Sequence, residues 1–210
     1  MKYIAVIGDI VSSRKVTHRA RLQLTLKQVL DSLNHRANVG LVSPYTITIG
    51  DEFQALFTRA DDVFHHAAEI LAALDPVKAR FSLGIGTLET PINRVQAIGM
   101  DGAAFHEARR GLEELRERQS IFSVTGLDKL SDGMTTQSLD LVSHLLLHWK
   151  KSRIQVLAML SRQVPVKEIA AKMGMSDKAV YKSIDAGALR TVLLLFHHIS
   201  LAINAEITSK

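Results

Sequence analysis

Acidic residues follow two apolar stretches of the sequence and could bind a divalent cation. Asp9 follows the β-branched, apolar run at residues 3–7, and Asp51 with Glu52 lies between two more apolar stretches. Mg²⁺ and Mn²⁺ prefer a few carboxylate oxygens and keep positions for water and phosphate. We therefore predict an Mg²⁺ or Mn²⁺ site made of Asp9, Asp51 and Glu52. The alternative is that Asp9 and Asp51 cap turns and that Glu52 is solvated.

The residues after Asp9 are suited to a phosphate chain. They offer backbone amides, hydroxyl groups and a guanidinium, all of which donate hydrogen bonds to phosphate oxygens. Such a chain would meet the metal at the same place, so a nucleotide is a candidate ligand. The predicted phosphate- or nucleotide-binding residues are Ile10, Ser12, Ser13, Arg14, Gly50 and Arg109.

Hydrophobic periodicity predicts the elements that must hold these residues. Strands are expected at 3–7, 45–49, 53–57, 79–86 and 120–125, and helices at 17–34, 61–74 and 102–118. The first six elements have the order β-α-β-β-α-β of a ferredoxin-like, palm-type sheet. Strands one and three are central neighbours in that sheet, so Asp9 and the hairpin carboxylates are expected to approach each other. Residues 126–133 are expected to form a loop.

The later part of the chain contains a helix-turn-helix pattern. In the stretch 166–184, apolar anchors recur at helical spacing, Gly174 supplies a turn and Ser176 can cap the second helix. We predict an α+β fold with two domains. A palm-like domain occupies 1–130, and an all-helical domain occupies 136–210, with the helix-turn-helix at about 153–187.

The charge of this later part favours DNA as its partner. From Lys150 to Lys210 there are ten basic and four acidic residues, whereas the whole chain has a net charge of +5. A recognition helix would present Ser176, Asp177, Lys178, Tyr181 and Lys182 to bases, and Lys167 and Lys172 to phosphates. The alternatives are that the same pattern serves protein contacts or that the lysines form a solvated face.

Composition restricts the class of protein. The chain of 210 residues is 47% hydrophobic and 22% charged, which is typical of a globular protein with a core. It has no cysteine, so disulfides, thiolate metal sites and thiol nucleophiles are excluded. We expect a cytoplasmic protein without a membrane segment. The apolar helices flanking the helix-turn-helix are expected to form core or the contact surface of a homodimer.

Two segments resemble the palm of class III nucleotidyl cyclases and diguanylate cyclases. Asp9-Ile10 is similar to the metal-binding segment after their first strand, and the stretch 50–53 is similar to the diguanylate cyclase signature, with Ile49 in place of its first glycine. The resemblance implies a nucleotidyl cyclase-like fold that holds metal ions. It departs at Ile47, where the cyclases have a purine-selecting lysine, and at Phe105, where they have an asparagine. Arg109 is retained.

Over nearly its full length the chain resembles the SatD family. The segments that carry this resemblance are 7–14, 50–54, 84–87 and 99–109, followed by a helical C-terminal region. The resemblance implies membership of a family and no particular reaction.

Three functions agree with these features. The favoured hypothesis is a DNA-binding transcription regulator whose palm-like domain binds a divalent metal with a nucleotide or another phosphate ligand. The second is a metal-dependent nucleotidyl or phosphoryl transfer enzyme, with Asp9 and Asp51 holding metal and Arg14 and Arg109 binding phosphate. The third is a non-catalytic protein-interaction scaffold.

Overall fold

The secondary structure consists of strands in the first part of the chain and helices throughout. The computed structural model describes residues 1–12, 17–36 and 38–208. Within these ranges the strands are β1 (Tyr3–Ile10), β2 (Leu41–Ile47), β3 (Glu52–Phe57), β4 (Ala79–Gly86) and β5 (Phe122–Thr125). The helices are α1 (Arg19–Asn34), α2 (Val63–Leu74), α3 (Ala103–Glu117), α4 (Lys129–His148), α5 (Lys151–Ser161), α6 (Val166–Met173), α7 (Asp177–Ala186) and α8 (Leu189–Thr208). The predicted α+β class is confirmed.

The strands form one mixed sheet in the order β2-β3-β1-β4-β5. β1 pairs antiparallel with β3 on one side and with β4 on the other. β2 and β3 form an antiparallel hairpin, whereas β5 pairs parallel with β4. The predicted pairing of strands one and three is therefore present. It places the C-terminal end of β1 beside the N-terminal end of β3.

Different elements cover the two faces of the sheet. On one face, alternate apolar residues such as Val6 and Leu83 pack in a core with α1, α2 and the C-terminal helices. On the other face, Ile7 and Leu56 pack under α3 and the segment that precedes it. Because side chains alternate along a strand, Asp9 projects to the same face as Ile7, toward α3.

Small residues allow α3 to lie very close to β4. A Cβ atom added at Gly84 would lie 2.1 Å from the backbone nitrogen of Ala108. A Cβ atom added at Gly111 would lie 2.4 Å from the hydroxyl oxygen of Ser82. At Gly84 the added atom meets the backbone of α3, so a side chain there requires the helix to move, whereas at Gly111 it meets the side chains of Ser82 and Ser123. This contact fixes the position of α3 over the sheet.

Outside β1, the predicted start of β2 and the predicted loop 126–133 differ most from the structure, and other boundaries differ by one or two residues. β2 begins at Leu41 rather than at residue 45, and it contains Pro44. An edge strand tolerates proline because one of its sides has no ladder partner, but the proline hides the strand pattern. α4 begins at Lys129, inside the predicted loop 126–133. Its first half contains Gly133 and few apolar residues, so periodicity gives little signal there.

The C-terminal helices share a core with the helices that cover the sheet. The rings of Phe64 in α2 and Phe196 in α8 are stacked, with centroids 4.7 Å apart. The side-chain oxygen of Asn204 accepts a 2.8 Å hydrogen bond from the backbone N–H of Ala60, and Ser200 donates to the carbonyl of Ala60 at 3.1 Å. α8 is thus held to the β3–α2 connection by both apolar and polar contacts.

By length and mean hydropathy, α8 could cross a membrane. Its inward side chains are nevertheless part of the protein core. The buried apolar residues of α8 are Leu189, Val192, Phe196, Ile199 and Ile203. Together with the hydrogen bonds to Ala60, these contacts are typical of the core helix of a globular protein.

Candidate functional site

Two carboxylates lie side by side at one end of the sheet. Asp9 of β1 is in register with Glu52 of β3 on one side and with Arg80 of β4 on the other. Opposed residues in antiparallel strands have Cα atoms about 4.5–5.5 Å apart and project to the same face. Asp9 is only 8% exposed, so its charge is largely shielded from water. We call Asp9, Glu52 and the arginines that contact them the carboxylate–arginine cluster.

Asp9 lies inside β1, which corrects the prediction that this strand ends at residue 7. Gly8 resembles a strand end in the sequence, but it stays paired, opposite Phe53 and Phe81. A Cβ atom at Gly8 would lie 2.3 Å from the ring of Phe53, so the glycine gives this ring room to cross β1. The pairing continues to Ile10 and holds Asp9 beside Glu52.

Among the residues that the structure describes, three arginines contact the two carboxylates. Arg109 of α3 donates two hydrogen bonds to Glu52, at 2.6 and 2.9 Å. Arg116 of α3 donates from Nε and Nη2 to Oδ2 of Asp9, each at 3.2 Å. Arg80 of β4 donates to Oδ1 of Asp9 at 3.4 Å. Both carboxylates are therefore neutralised by guanidinium groups from other elements.

Sequence reasoning missed Arg80 and Arg116 as site residues. Arg116 follows Arg109 by seven residues, which is about two helical turns and places both on one side of α3. Arg80 and Phe81 are neighbours in β4, so their side chains project to opposite faces of the sheet. The alternation of polar and apolar residues that places Arg80 opposite to Phe81 is visible in the sequence. The sequence thus contained a signal for the arginines, but their partners depend on how α3 packs against β4.

The cluster has more positive than negative charge, since three guanidinium groups contact two carboxylates. The hydrogen bonds from Arg109 to Glu52 raise the pKa of Arg109 above its ordinary value. Arg109 therefore stays charged at physiological pH, and the excess positive charge of the cluster would repel a further cation that arrived alone. Phosphate oxygens, in contrast, match the geometry of guanidinium donors. The arrangement is suited to phosphate, or to a cation that arrives with phosphate.

Gly50 and Asp51 lie in the turn that joins β2 and β3. Gly50 has a left-handed φ of +67°, which favours glycine, and its carbonyl accepts a 3.2 Å hydrogen bond from Gln23 of α1. The N–H of Glu52 donates to the carbonyl of Ile49 at 3.1 Å and closes the turn. Asp51 thus sits at the tip of the hairpin, directly before Glu52.

The predicted metal site stays a prediction. Among residues 1–12, 17–36 and 38–208, no three His, Cys, Asp or Glu side chains are grouped so that they could hold a metal ion. The oxygens of Asp9 and Glu52 instead accept hydrogen bonds from arginines. A cation bound by these carboxylates would have to take the place of arginine contacts.

The predicted phosphate-binding stretch after Asp9 is described in part. The side chain of Ile10 is 3% exposed and belongs to the main core, so it points away from the cluster. Ser12 is exposed and has a left-handed φ of +55°. Ser13 and Arg14 lie outside the residues that the structure describes. Ser12 is therefore the described part of the stretch that could meet a phosphate.

A second candidate surface is formed by α6 and α7. Gly174 ends α6 in the left-handed conformation, and the hydroxyl of Ser176 accepts a 3.2 Å hydrogen bond from the backbone N–H of Ala179 at the start of α7. The predicted turn and cap are both confirmed. The residues that anchor the two helices in the core are Ile169, Ala170, Val180 and Ile184, all buried.

The side chains predicted to contact DNA are on the outside of these helices. The exposed residues are Ser176, Asp177, Lys178, Tyr181 and Lys182 of α7 and its cap, and Lys167 and Lys172 of α6. We call the first five the α7 surface. Tyr181 is 48% exposed although it is large and aromatic, and Lys172 forms an ion pair of 2.7 Å with Glu168. A polyanion could reach all of these side chains.

Comparisons with known proteins identify a family and a distant structural likeness. The model of the SatD family matches residues 3–198. The structure is weakly similar to one described as a bacterial light-regulated adenylyl cyclase, with a TM-score of 0.38 and 16% sequence identity. That match covers 60% of this chain and 43% of the cyclase chain, so this chain spans less than half of its length. Among curated proteins no sequence matches significantly.

Proposed function

The chain belongs to the SatD family, and we propose that it is a DNA-binding regulator that senses a phosphate ligand, such as a nucleotide, together with Mg²⁺ or Mn²⁺. In this proposal Asp9 and Glu52 hold the cation, with Asp51 beside them, and the arginines of the cluster bind phosphate. The sheet with α1 and α2 is proposed to be a palm-type, ferredoxin-like unit, and α6 with α7 a helix-turn-helix.

The observation that supports ligand binding is the contact of three arginines with two neighbouring carboxylates at the end of the sheet. The carboxylates are well covered, with side-chain exposures of 15% for Glu52 and 12% for Asp9, whereas the side chains of Arg109 and Arg116 are 43% and 48% exposed. A phosphate ligand could therefore reach the two arginines from solvent.

Binding of phosphate and binding of the cation should favour each other. When phosphate oxygens accept the guanidinium hydrogen bonds, the oxygens of Asp9 and Glu52 are freed for a hard cation, whose preferred ligands are carboxylate oxygens. A cation alone would have to displace the arginines in a cluster that is already positive. By linkage, each ligand then raises the affinity of the other by the same factor.

The α7 surface supports the DNA-binding part of the proposal. Its lysines are exposed, and the helix begins at a capped Ser176, so its N-terminal residues are presented to solvent. In helix-turn-helix proteins these residues enter the major groove. The excess of basic over acidic residues from Lys150 onward adds attraction to a polyanion.

A second candidate function is nucleotidyl or phosphoryl transfer. It is favoured by Arg109, which the cyclase resemblance retains and which contacts Glu52 of the carboxylate pair. Against it, Ile47 and Phe105 occupy the positions at which the cyclase resemblance implies a lysine and an asparagine. Phe105 is 8% exposed and packs in the apolar cluster under α3, so it supplies no polar group. Sensing is therefore the preferred proposal.

A thermal-shift panel tests the proposal and separates the two functions. The full-length chain is heated with nucleoside mono-, di- and triphosphates, each with Mg²⁺, Mn²⁺ or EDTA, and the mixtures are then separated by chromatography. A sensor gains thermal stability with the ligand and metal together and leaves the ligand intact. Conversion of the ligand would instead identify a transfer enzyme. No shift with any combination would contradict both functions.

A further inference from the structure

A groove of about 600 Å³ lies between helices α1 and α2 and helices α5 and α6. Its apolar lining consists of Val29, Ala72, Ala73, Ala158, Met159 and Met173. Small-molecule sites commonly have volumes of about 300–1,000 Å³ and mainly apolar walls with a few polar groups. This groove, which we call the α5 groove, shares no lining residue with the carboxylate–arginine cluster.

The polar groups of the α5 groove leave it with an excess of positive charge. Glu69, the acidic residue in its lining, receives two hydrogen bonds of 2.8 Å from Arg36 and has a side chain that is 12% exposed. Arg162 lies 3.8 Å from the same carboxylate and is 50% exposed. Lys172, also in the lining, is 57% exposed. Glu69 is thus already neutralised by Arg36, and Lys172 is paired with Glu168 at 2.7 Å, so the excess positive charge is that of Arg162. The side chains of Arg162 and Lys172 both remain accessible from solvent.

We infer that the α5 groove binds a small amphipathic molecule with one anionic group. The apolar body of the ligand lies against the alanines of α2 and the methionines Met159 and Met173. Its carboxylate, sulfonate or phosphate group is held by Arg162 and Lys172. Alanine leaves depth in the groove, and methionine side chains adapt to ligands of different shape.

Binding in the α5 groove would be transmitted to the α7 surface. Lys172 and Met173 form the end of α6, directly before Gly174 and the start of α7. A ligand that contacts α2 and the end of α6 together therefore sets where α6 and α7 lie relative to α1 and α2. This regulatory consequence rests on the proposed DNA-binding function, whereas ligand binding in the groove does not.

A pair of fluorescent probes tests the groove in the full-length chain. Anilinonaphthalene sulfonate is an anionic amphipath, and phenylnaphthylamine is its neutral counterpart. The double variant Arg162→Gln, Lys172→Gln should bind the sulfonate probe about tenfold more weakly, because two partly exposed charge contacts to the sulfonate are lost. Its binding of the neutral phenylnaphthylamine should be unchanged. Ala72→Trp, which fills the groove, should weaken binding of both probes.

The matched control is Lys27→Gln with Arg190→Gln, which removes the same charge from exposed positions on α1 and α8. This control should bind both probes like the natural chain. The inference is overturned if the natural chain binds no sulfonate probe, or if the two groove variants bind it as tightly as the control does.

Binding to DNA in the presence of the probe separates this inference from the proposed function. The natural chain should show an affinity for DNA that changes about fivefold when the groove is saturated, and Ala72→Trp should not respond to the probe. If the chain binds no DNA under any condition, the DNA-binding function fails while probe binding still supports the groove. If DNA binds and its affinity is the same with and without probe, the coupling is overturned.

Discussion

Arg109 of α3 holds both carboxylate oxygens of Glu52, at 2.6 and 2.9 Å. Such a two-point contact between guanidinium and carboxylate is stronger and more directional than a single hydrogen bond. Because Glu52 lies opposite Asp9, this one arginine limits access of any cation to the carboxylate pair. The same guanidinium is half-exposed.

Removal of this guanidinium should reverse the ligand preference of the site. In Arg109→Gln, Glu52 loses its two-point partner and the cluster loses one positive charge. We expect Mn²⁺ alone to bind more tightly than to the natural chain, while a nucleoside triphosphate with Mg²⁺ binds at least about tenfold more weakly. Electron paramagnetic resonance of free Mn²⁺ and calorimetric titration of the nucleotide measure the two effects.

The neighbouring Arg110 provides a matched control for this change. It lies on the same helix, but its partners are Glu107 and Glu114 and its side chain is 56% exposed. Arg110→Gln should bind both ligands like the natural chain. Identical behaviour of the two variants would contradict a specific role for Arg109.

The close packing of α3 on β4 should be sensitive to a single methyl group. Gly84→Ala places a Cβ atom against the backbone of Ala108, so we expect a loss of about 3 kcal/mol in the free energy of unfolding. The displacement of α3 should also weaken phosphate binding, because it moves Arg109 and Arg116 from their carboxylates. Urea unfolding and ligand titration measure these effects.

Gly133 is a suitable comparison because a Cβ atom there meets nothing within 4 Å. It lies in α4, where alanine is favoured over glycine by up to about 1 kcal/mol. Gly133→Ala should therefore be as stable as the natural chain or slightly more so. Equal stability of the Gly84 and Gly133 variants would show that α3 can move without cost.

His66 should make stability depend on pH. Its ring lies between the hydroxyl of Tyr45 at 3.3 Å and the side-chain oxygen of Asn38 at 3.0 Å, and burial lowers the pKa of His66 to about 4. A histidine in the unfolded chain titrates near 6.5, so the unfolded state binds more protons between these values. Stability from this group is complete above about pH 6.5 and falls as pH decreases toward 4. We expect a loss of about 2 kcal/mol between pH 7 and pH 5 in urea unfolding.

The variant His66→Gln should be less stable at neutral pH but should show a flatter dependence on pH over the same interval. His106→Gln is the control, because His106 is an exposed residue of α3 whose side chain is 72% exposed. The control should keep the slope of the natural chain. An equally steep slope in His66→Gln would assign the effect to other groups.

Exchange of lysines on the α7 surface should weaken binding to DNA. Lys178 and Lys182 are one helical turn apart and exposed. In Lys178→Ala with Lys182→Ala, the slope of log affinity against log salt should become shallower by about 2, because two phosphate contacts are lost. Fluorescence anisotropy with duplex DNA at several salt concentrations measures this slope.

Arg21→Ala with Lys27→Ala removes the same charge from exposed positions on α1, outside the α7 surface. This control should keep the natural salt dependence. If both double variants lose affinity equally, the attraction is due to overall charge and not to α7.

Local features could be predicted from the sequence because their causes are local. The left-handed turn at Gly174 and the helix cap at Ser176 could be predicted because glycine is preferred in the left-handed conformation and serine is preferred at helix N-caps. The neighbourhood of β1 and β3, and hence of Asp9 and Glu52, follows from the order of the elements. The continuation of β1 through Gly8 did not follow, because it depends on the ring of Phe53 on another strand.

Arg80 and Arg116 could not be predicted as members of the cluster for a similar reason. Arg116 contacts Asp9 only because α3 lies close to β4, and this closeness depends on Gly84 and Gly111 meeting residues far away in sequence. The resemblance to metal-binding palms drew attention to the acidic residues and to Arg109. The contacts of Arg80 and Arg116 required the packed structure.

Calorimetric titration with inorganic triphosphate tests the central claim most directly, because this probe presents phosphates without a base. The full-length chain should bind one triphosphate in the presence of Mg²⁺, and the affinity should fall at least about tenfold in EDTA. The double variant Asp9→Asn, Glu52→Gln should show no measurable binding. Asp101→Asn with Glu114→Gln, at exposed positions that pair elsewhere, should bind normally. Equal binding by the Asp9 and Glu52 variant, or binding that does not depend on Mg²⁺, would contradict a joint metal and phosphate site at the carboxylate–arginine cluster.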